Sequence, residues 1–104
     1  MEEVFMNIKI HSVHFDADKK LLDFIDEKVN KLNQFDDKII GAEIFLRLNK
    51  NENLENKVAE IRLNISGSDL FAKKQCKTFE EATDLTVEAL RRQLVRQKGK
   101  KIAR

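Results

Sequence analysis

The sequence predicts an α+β domain in the order β-α-β-β-β-α: a four-stranded sheet carrying two roughly parallel helices on one face. Apolar residues recur at helical spacing from about residue 18 to 35 and again from 78 to 99, and they alternate with period two in four other stretches. The last three of those stretches follow one another through short polar links, the pattern of an antiparallel meander. Two amphipathic helices and a meander of this size are most simply packed as two layers.

Asn7 to Val13 sets Ile8 and Ile10 against Lys9 and His11, a short strand with one wet face. The following FDAD turns the chain, and Asp18 is placed to cap a helix running to Phe35. Leu21, Leu22, Ile25, Val29, Leu32 and Phe35 form its buried stripe. Its remaining surface is sorted by sign, with Lys20, Lys28 and Lys31 along one flank and Asp23 and Asp26 towards the other. From Ile39 to Asn49, Ala42, Ile44, Leu46 and Leu48 alternate with Glu43, Phe45 and Arg47. The polar run KNENLENK forms the hairpin tip, and Val58 to Ser66 returns with Ala59, Ile61, Leu63 and Ile65 facing in. Gly67, Ser68 and Asp69 make a turn, and Leu70 to Lys77 is the fourth strand, its inner face Leu70, Ala72 and Cys76 interrupted by Lys74. Thr78 then caps the second helix, with Glu81 at the capping-box position. Phe79, Ala82, Thr83, Thr86, Val87, Leu90 and Leu94 share its inner face, and Gly99 is placed to end it.

At 104 residues the chain is one domain, and 37% of it is charged against about 25% in an ordinary globular protein. Met6 opens a second plausible start, so residues 1–5 read as an extension, 6–99 as the domain and 100–104 as a basic tail. No apolar run approaches the roughly 18 residues that would span a membrane. The N-terminus has no signal-peptide pattern, and the single Cys76 suits a reducing compartment, so a cytoplasmic location is expected.

The charge is polarised. From Arg91 to the end there are seven Lys or Arg and no acid, so with a net charge of +2 the chain before Arg91 carries −5. Cations suit a helix C-terminus through the dipole, but that explains one or two bases rather than seven. The block reads as a surface for phosphates. The candidate nucleic-acid-binding residues are Lys28, Lys31, Arg91, Arg92, Arg96, Lys98 and Lys100. Arg92 and Arg96, four apart, place their Cβ atoms roughly 6 Å from each other on one ridge, and guanidinium forks suit phosphate oxygens.

Catalytic and metal signatures are missing. There is no glycine-rich phosphate loop, nucleophile elbow or paired cysteines, and His11 and His14 fall on opposite faces of a strand. No enzyme activity, cofactor, metal or small-molecule substrate is expected. The outward strand positions Glu43, Phe45, Arg47, Glu60, Arg62 and Asn64 offer few aromatics for stacking bases, so readout of RNA should be by shape and phosphate.

Three stretches, MNIKIHSVHF, DEKVNKLNQFDDKI and FEEATDLTVEALRRQLVRQKGK, together resemble the family of ribosome hibernation-promoting factors and ribosome-associated inhibitors, also called sigma-54 modulation proteins. The resemblance covers residues 6 to 101. Its most specific part is an A-x-D…L-x-R-Q-L-x-[KR] pattern met by Ala82, Asp84, Leu90, Arg92, Gln93, Leu94 and Arg96, and a K-x-x-K-L pattern at the end of the first helix is met by Lys28, Lys31 and Leu32. The resemblance implies the β-α-β-β-β-α fold reached above. It also implies binding to the small ribosomal subunit in the mRNA and tRNA channel, with Lys28, Lys31, Arg92 and Arg96 on 16S rRNA, and inhibition of translation when growth stops. Ala89 departs from the family pattern, in which a base is usual one turn before Arg92, and Glu80 stands where a tyrosine is common. In length and in its basic end the chain resembles the short, tail-less form, and the free chain is expected to be a monomer. The rival expectation is a regulator of sigma-54-dependent transcription acting through protein contacts.

Overall fold

A computed structural model describes residues 6–51 and 54–102, with side chains as far as Gln97. Its elements are β1 (Asn7–Ser12), α1 (Lys19–Asn30), a short 3-10 turn (Lys31–Gln34), β2 (Ile39–Leu48), β3 (Lys57–Ile65), β4 (Ser68–Cys76) and α2 (Phe79–Ile102). The strands lie in the order β1-β2-β3-β4, with β1 parallel to β2 and the other two pairings antiparallel. This is the β-α-β-β-β-α fold expected from the sequence. Since β1, β2 and β4 all run one way and each helix returns along them, α1 and α2 run the same way as each other. Their register is set by two contacts, Lys28 of α1 with Asp84 of α2, and Arg91 over the ring of Phe35 beyond α1.

Both helices cover the same face. Ile25, Val29 and Leu32 on the α1 side, Ile44, Leu46, Ile61 and Leu63 from the sheet, and Leu90 and Leu94 from α2 join one buried cluster. The two threonines on the inner face of α2 are fully buried. Thr86 donates its hydroxyl to the Ala82 carbonyl within the helix at 2.7 Å, with the Ala59 carbonyl of β3 at 3.3 Å, whereas the Thr83 hydroxyl has no hydrogen-bond partner among the described residues. Met6 is also buried, which puts it inside the domain.

The ends of the elements depart from expectation in four places. The first helix does not run to Phe35 as one α-helix; it tightens into the 3-10 turn at Lys31, which eclipses residues three apart and turns Leu32 and Phe35 together towards α2. Leu48 was expected to face inward but lies largely exposed at the end of β2. β4 starts at Ser68 rather than Leu70, because Ser66 and Gly67 alone make the turn, Gly67 at φ 92°. Finally, α2 does not stop at Gly99. A mid-helix glycine costs only about 1 kcal/mol relative to alanine, and without a left-handed residue there the helix continues to Ile102. At the other end, Asp18 Oδ1 accepts from the Leu21 amide and Thr78 Oγ1 from the Glu81 amide, as expected for the two N-caps. Residues 1–5 and 103–104, parts of the expected extension and tail, lie outside the described residues.

One close approach fixes the seam between β1 and the meander. A Cβ on Gly41 would come 2.7 Å from the carbonyl oxygen of Asn7, backbone that has little freedom to retreat. Gly41→Ala is therefore expected to push β1 off β2 and lower unfolding stability by about 1–3 kcal/mol, the usual range for overpacking. Urea melts would read this directly, and an unchanged midpoint would mean the seam is looser than the geometry indicates.

Candidate nucleic-acid interface

Successive residues of α2 point about 100° apart, so its three functional sectors follow from which one is buried. Leu90 and Leu94 face the sheet. Arg91 turns towards α1, where its guanidinium lies 5.8 Å from the centre of the Phe35 ring. Arg92 stands on the solvent crown, and Arg96 lies beyond it, on the flank away from α1. Gln93 marks that flank by donating its side-chain amide to the Phe71 carbonyl of the β4 edge at 3.1 Å.

The α1 lysines complete one side of this face. Lys28 and Lys31 line a groove between the helices together with Leu32, Phe35, Val87 and Arg91. The lysine directly opposite α2 is Lys28, and the α2 base it shares the groove with is Arg91. The resemblance places Lys28, Lys31, Arg92 and Arg96 on rRNA, and the basic block adds Arg91 to the candidates. In the structure Arg91 stands between the two groups, lining the groove with Lys28 and Lys31, while Arg92 and Arg96 continue the surface over the crown. Lys98 and Lys100 belong to α2 by backbone, and their side chains lie outside the described residues.

The acids between these bases were not foreseen. Arg91 is held by Glu88 through two contacts, Nε donating at 3.0 Å and a shorter one from Nη2, and Arg92 Nε lies 3.6 Å from the same carboxylate. Lys28 Nζ lies 3.2 Å from Asp84 Oδ1 and 5.4 Å from the centre of the Phe24 ring. Lys31 and Arg96 have no ion-pair partner among the described residues. The hydrogen bond from Arg91 holds the Glu88 carboxyl below the usual carboxylate range and raises the guanidinium in return. Because the folded value is depressed, the stabilisation from this pair is present at neutral pH and lost as pH falls through that depressed value.

The Glu88 pairings could have been read from spacing, since residues three and four apart share a helix surface. The Lys28–Asp84 pair could not, because it depends on the register of two helices. A test follows: Glu88→Gln releases both arginines and adds one net positive charge to the face. Binding to RNA should tighten severalfold at low salt, each added effective contact steepening the log–log salt slope by about 0.7–0.9. Unchanged affinity would mean that the arginines are not part of the binding surface.

Elsewhere the chemistry is quiet. His11 Nε2 meets the Glu43 carboxylate at 3.0 Å and its ring stacks on Phe45, while His14 lies past the end of β1 at φ 66°. Cys76 is free and buried, and burial pushes its thiol up. Among the described residues no group of three or more His, Cys, Asp or Glu is arranged to hold a metal, and no helix is long and apolar enough to cross a membrane.

The family model described as Sigma 54 modulation protein / S30EA ribosomal protein matches residues 8–102. The chain belongs to this family. Among its S30EA relatives, a ribosome hibernation promoting factor of Azotobacter vinelandii is 29% identical over 95% of this chain and 89% of its own length. One from Klebsiella oxytoca is 30% identical over 91% of this chain and 94% of its own. In three dimensions the fold matches a ribosomal subunit interface protein from Coxiella burnetii with a TM-score of 0.81, at 21% identity over 90% of this chain and 99% of the other. The N-terminal domain of Protein Y from Thermus thermophilus gives a TM-score of 0.76, at 22% identity over 88% and 98%.

Proposed function

We propose that this chain is a ribosome hibernation factor that binds the small ribosomal subunit through 16S rRNA in the mRNA and tRNA channel, and that it inhibits translation there in stationary phase or stress. The observation that carries the reading is the basic surface running from Lys28 and Lys31 across Arg91 to Arg92 and Arg96, on two parallel helices packed as one unit. The family and the names of its relatives support the ribosome as the target.

The chemistry is phosphate neutralisation without bond making. Guanidinium groups give forked, charge-assisted hydrogen bonds to phosphate. Lysines add point charges, and no base edge need be read. RNA backbone brought onto the face competes with Glu88 for Arg91 and Arg92 and with Asp84 for Lys28, exchanging internal partners for phosphates. Inhibition is then steric: a folded domain occupying the channel excludes mRNA and tRNA.

Sedimentation of stationary-phase extract through a sucrose gradient tests the reading, with this protein expected to travel with small subunits. Affinity for purified small subunits should fall with salt at a log–log slope near −0.7 to −0.9 per phosphate contact. A flat salt dependence, or copurification with a sigma factor in place of ribosomes, would favour a regulator working through protein contacts.

A further inference from the structure

The sheet face turned away from the helices has no part in the surface described above. By register its two central rows are Lys9, Glu43, Arg62 and Phe71, and beside them His11, Phe45, Glu60 and Lys73. The inner strands β2 and β3 bring a single aromatic to these rows, but the edge strands add His11 on β1 and Phe71 on β4. The His11 ring is stacked on Phe45, with centroids 4.7 Å apart and planes 14° from parallel. Because β1 is an edge strand, no strand lies beyond His11 to cover the other face of its ring. Phe71 is 50% exposed near the middle of β4, since both helices pack against the opposite face. Arg62 is exposed, directly opposite Phe71 and one diagonal step from Phe45, about 7–8 Å that a long side chain spans. It has no ion-pair partner among the described residues. The acids of the face are engaged elsewhere: Glu43 by His11, Glu60 by Arg47, and Asp69 by the Asn64 side-chain amide, which donates to it at 3.0 Å.

We infer that this face is a platform for single-stranded RNA, holding unpaired bases by stacking on the His11–Phe45 pair, on Arg62 and on Phe71. Every base has a flat π face, so aromatic rings and guanidinium planes take bases with little regard to sequence. His11 and Phe71 stand on opposite edges of the sheet, three strand spacings and one pleat repeat apart, or roughly 16 Å. They are separate flat stations along a path that crosses the strands. Glu60 and Arg62 lie between Phe45 and Phe71, so the face lacks the continuous apolar patch that marks a protein partner. Its charge suits the same occupant. Lys9, Arg47, Arg62 and Lys73 stand against Glu43, Glu60 and Asp69, enough to tolerate an RNA backbone but too even to hold one by charge alone. A duplex keeps its bases inside its own stack, so the face offers it little. Helices that take phosphates and a sheet that takes bases place two RNA segments on opposite sides of a two-layer domain. An unpaired stretch of ribosomal RNA as the occupant rests on the function proposed above; the stacking chemistry does not.

The test is a His11→Gln/Phe71→Ala variant, in which glutamine keeps a donor for Glu43. Its affinity is measured on single-stranded oligoadenylate, on the same strand with abasic sites, and on purified small subunits. Removing two stacking stations should weaken oligoadenylate binding about tenfold or more. The log–log salt slope should stay unchanged, since no phosphate contact is lost. Arg92→Ala/Arg96→Ala should act the other way, flattening that slope by about 0.7 per contact removed on a single strand. The abasic strand should bind the wild type as weakly as the intact strand binds the stacking variant, and subunits should show the same loss as oligoadenylate. Phe71→Leu, which keeps apolar bulk without the ring, should still lose severalfold, and with a thermal melt it keeps the answer readable if the double variant folds poorly. Wild-type affinity of both stacking variants for oligoadenylate, or equal binding of intact and abasic strands, would overturn the platform and leave a protein as the occupant of the face. Loss on oligoadenylate beside wild-type affinity for subunits would overturn ribosomal RNA as the occupant. If the wild-type chain never binds subunits, the ribosomal reading fails instead, and the platform is judged on oligoadenylate alone.

Discussion

Replacing Arg92 and Arg96 together with alanine is expected to weaken binding to the small subunit by about a hundredfold or more while leaving the fold intact. Each charge-assisted contact to phosphate contributes about 1.5–3 kcal/mol, and about 1.4 kcal/mol is a factor of ten in affinity. Both side chains point away from the core on the exposed side of α2. Their removal should therefore shift stability by no more than about half a kcal/mol, as for surface positions generally. The two losses are not expected to be equal. Arg96 has no ion-pair partner among the described residues, so its alanine variant loses the whole contact, whereas Arg92 stands beside Glu88 and its contact is net of that pairing. Single variants should thus rank Arg96→Ala as the more damaging. Inhibition of translation in vitro at the wild-type dose by the double variant would show that the crown of α2 is not the binding surface.

Leu90→Ala should do the opposite. Leu90 is fully buried one residue before Arg91, in the layer where α2 meets the sheet, and it belongs to the same cluster as Ile61 and Leu63. Truncating a buried leucine costs about 2–5 kcal/mol, against a total stability of about 5–15 kcal/mol for a domain of this size. At roughly 4–8 °C per kcal/mol, the melting temperature should fall by about 10–30 °C. RNA binding at a temperature where the variant is still folded should stay near wild type, since no phosphate contact is removed. A melting temperature within a few degrees of wild type would mean that α2 is held to the sheet by something other than this layer. The two variants together separate the two sides of one helix, the first acting on affinity and the second on stability.

Periodicity was enough to locate every strand and both helices, because burial on one side of an element imposes its own repeat on the sequence. The spacing Ala59, Ile61, Leu63, Ile65 allows only a strand facing a core, and Leu90 with Leu94 allows only a helix lying on one. The capping residues Asp18 and Thr78 were equally legible, since a cap is a contact between near neighbours in the chain. Element ends were less so. Gly99 has the residue type of a helix terminus, but whether a helix stops there depends on what the following turn can bond to.

The candidate surface divides along the same line. Sequence alone determined that bases accumulate after Arg91, that Arg92 and Arg96 share a ridge, and that Lys28 and Lys31 lie on one flank of the first helix. It also contained Glu88 at the spacing needed to hold Arg91 and Arg92. Tertiary structure alone decided that Arg91 faces Lys28 and Lys31 across the groove and that Asp84 reaches Lys28. Contacts within one helix are set by its repeat, which the order of residues states outright. Contacts between elements are set by how a shared core aligns them, and that alignment comes from packing of side chains far apart in the chain.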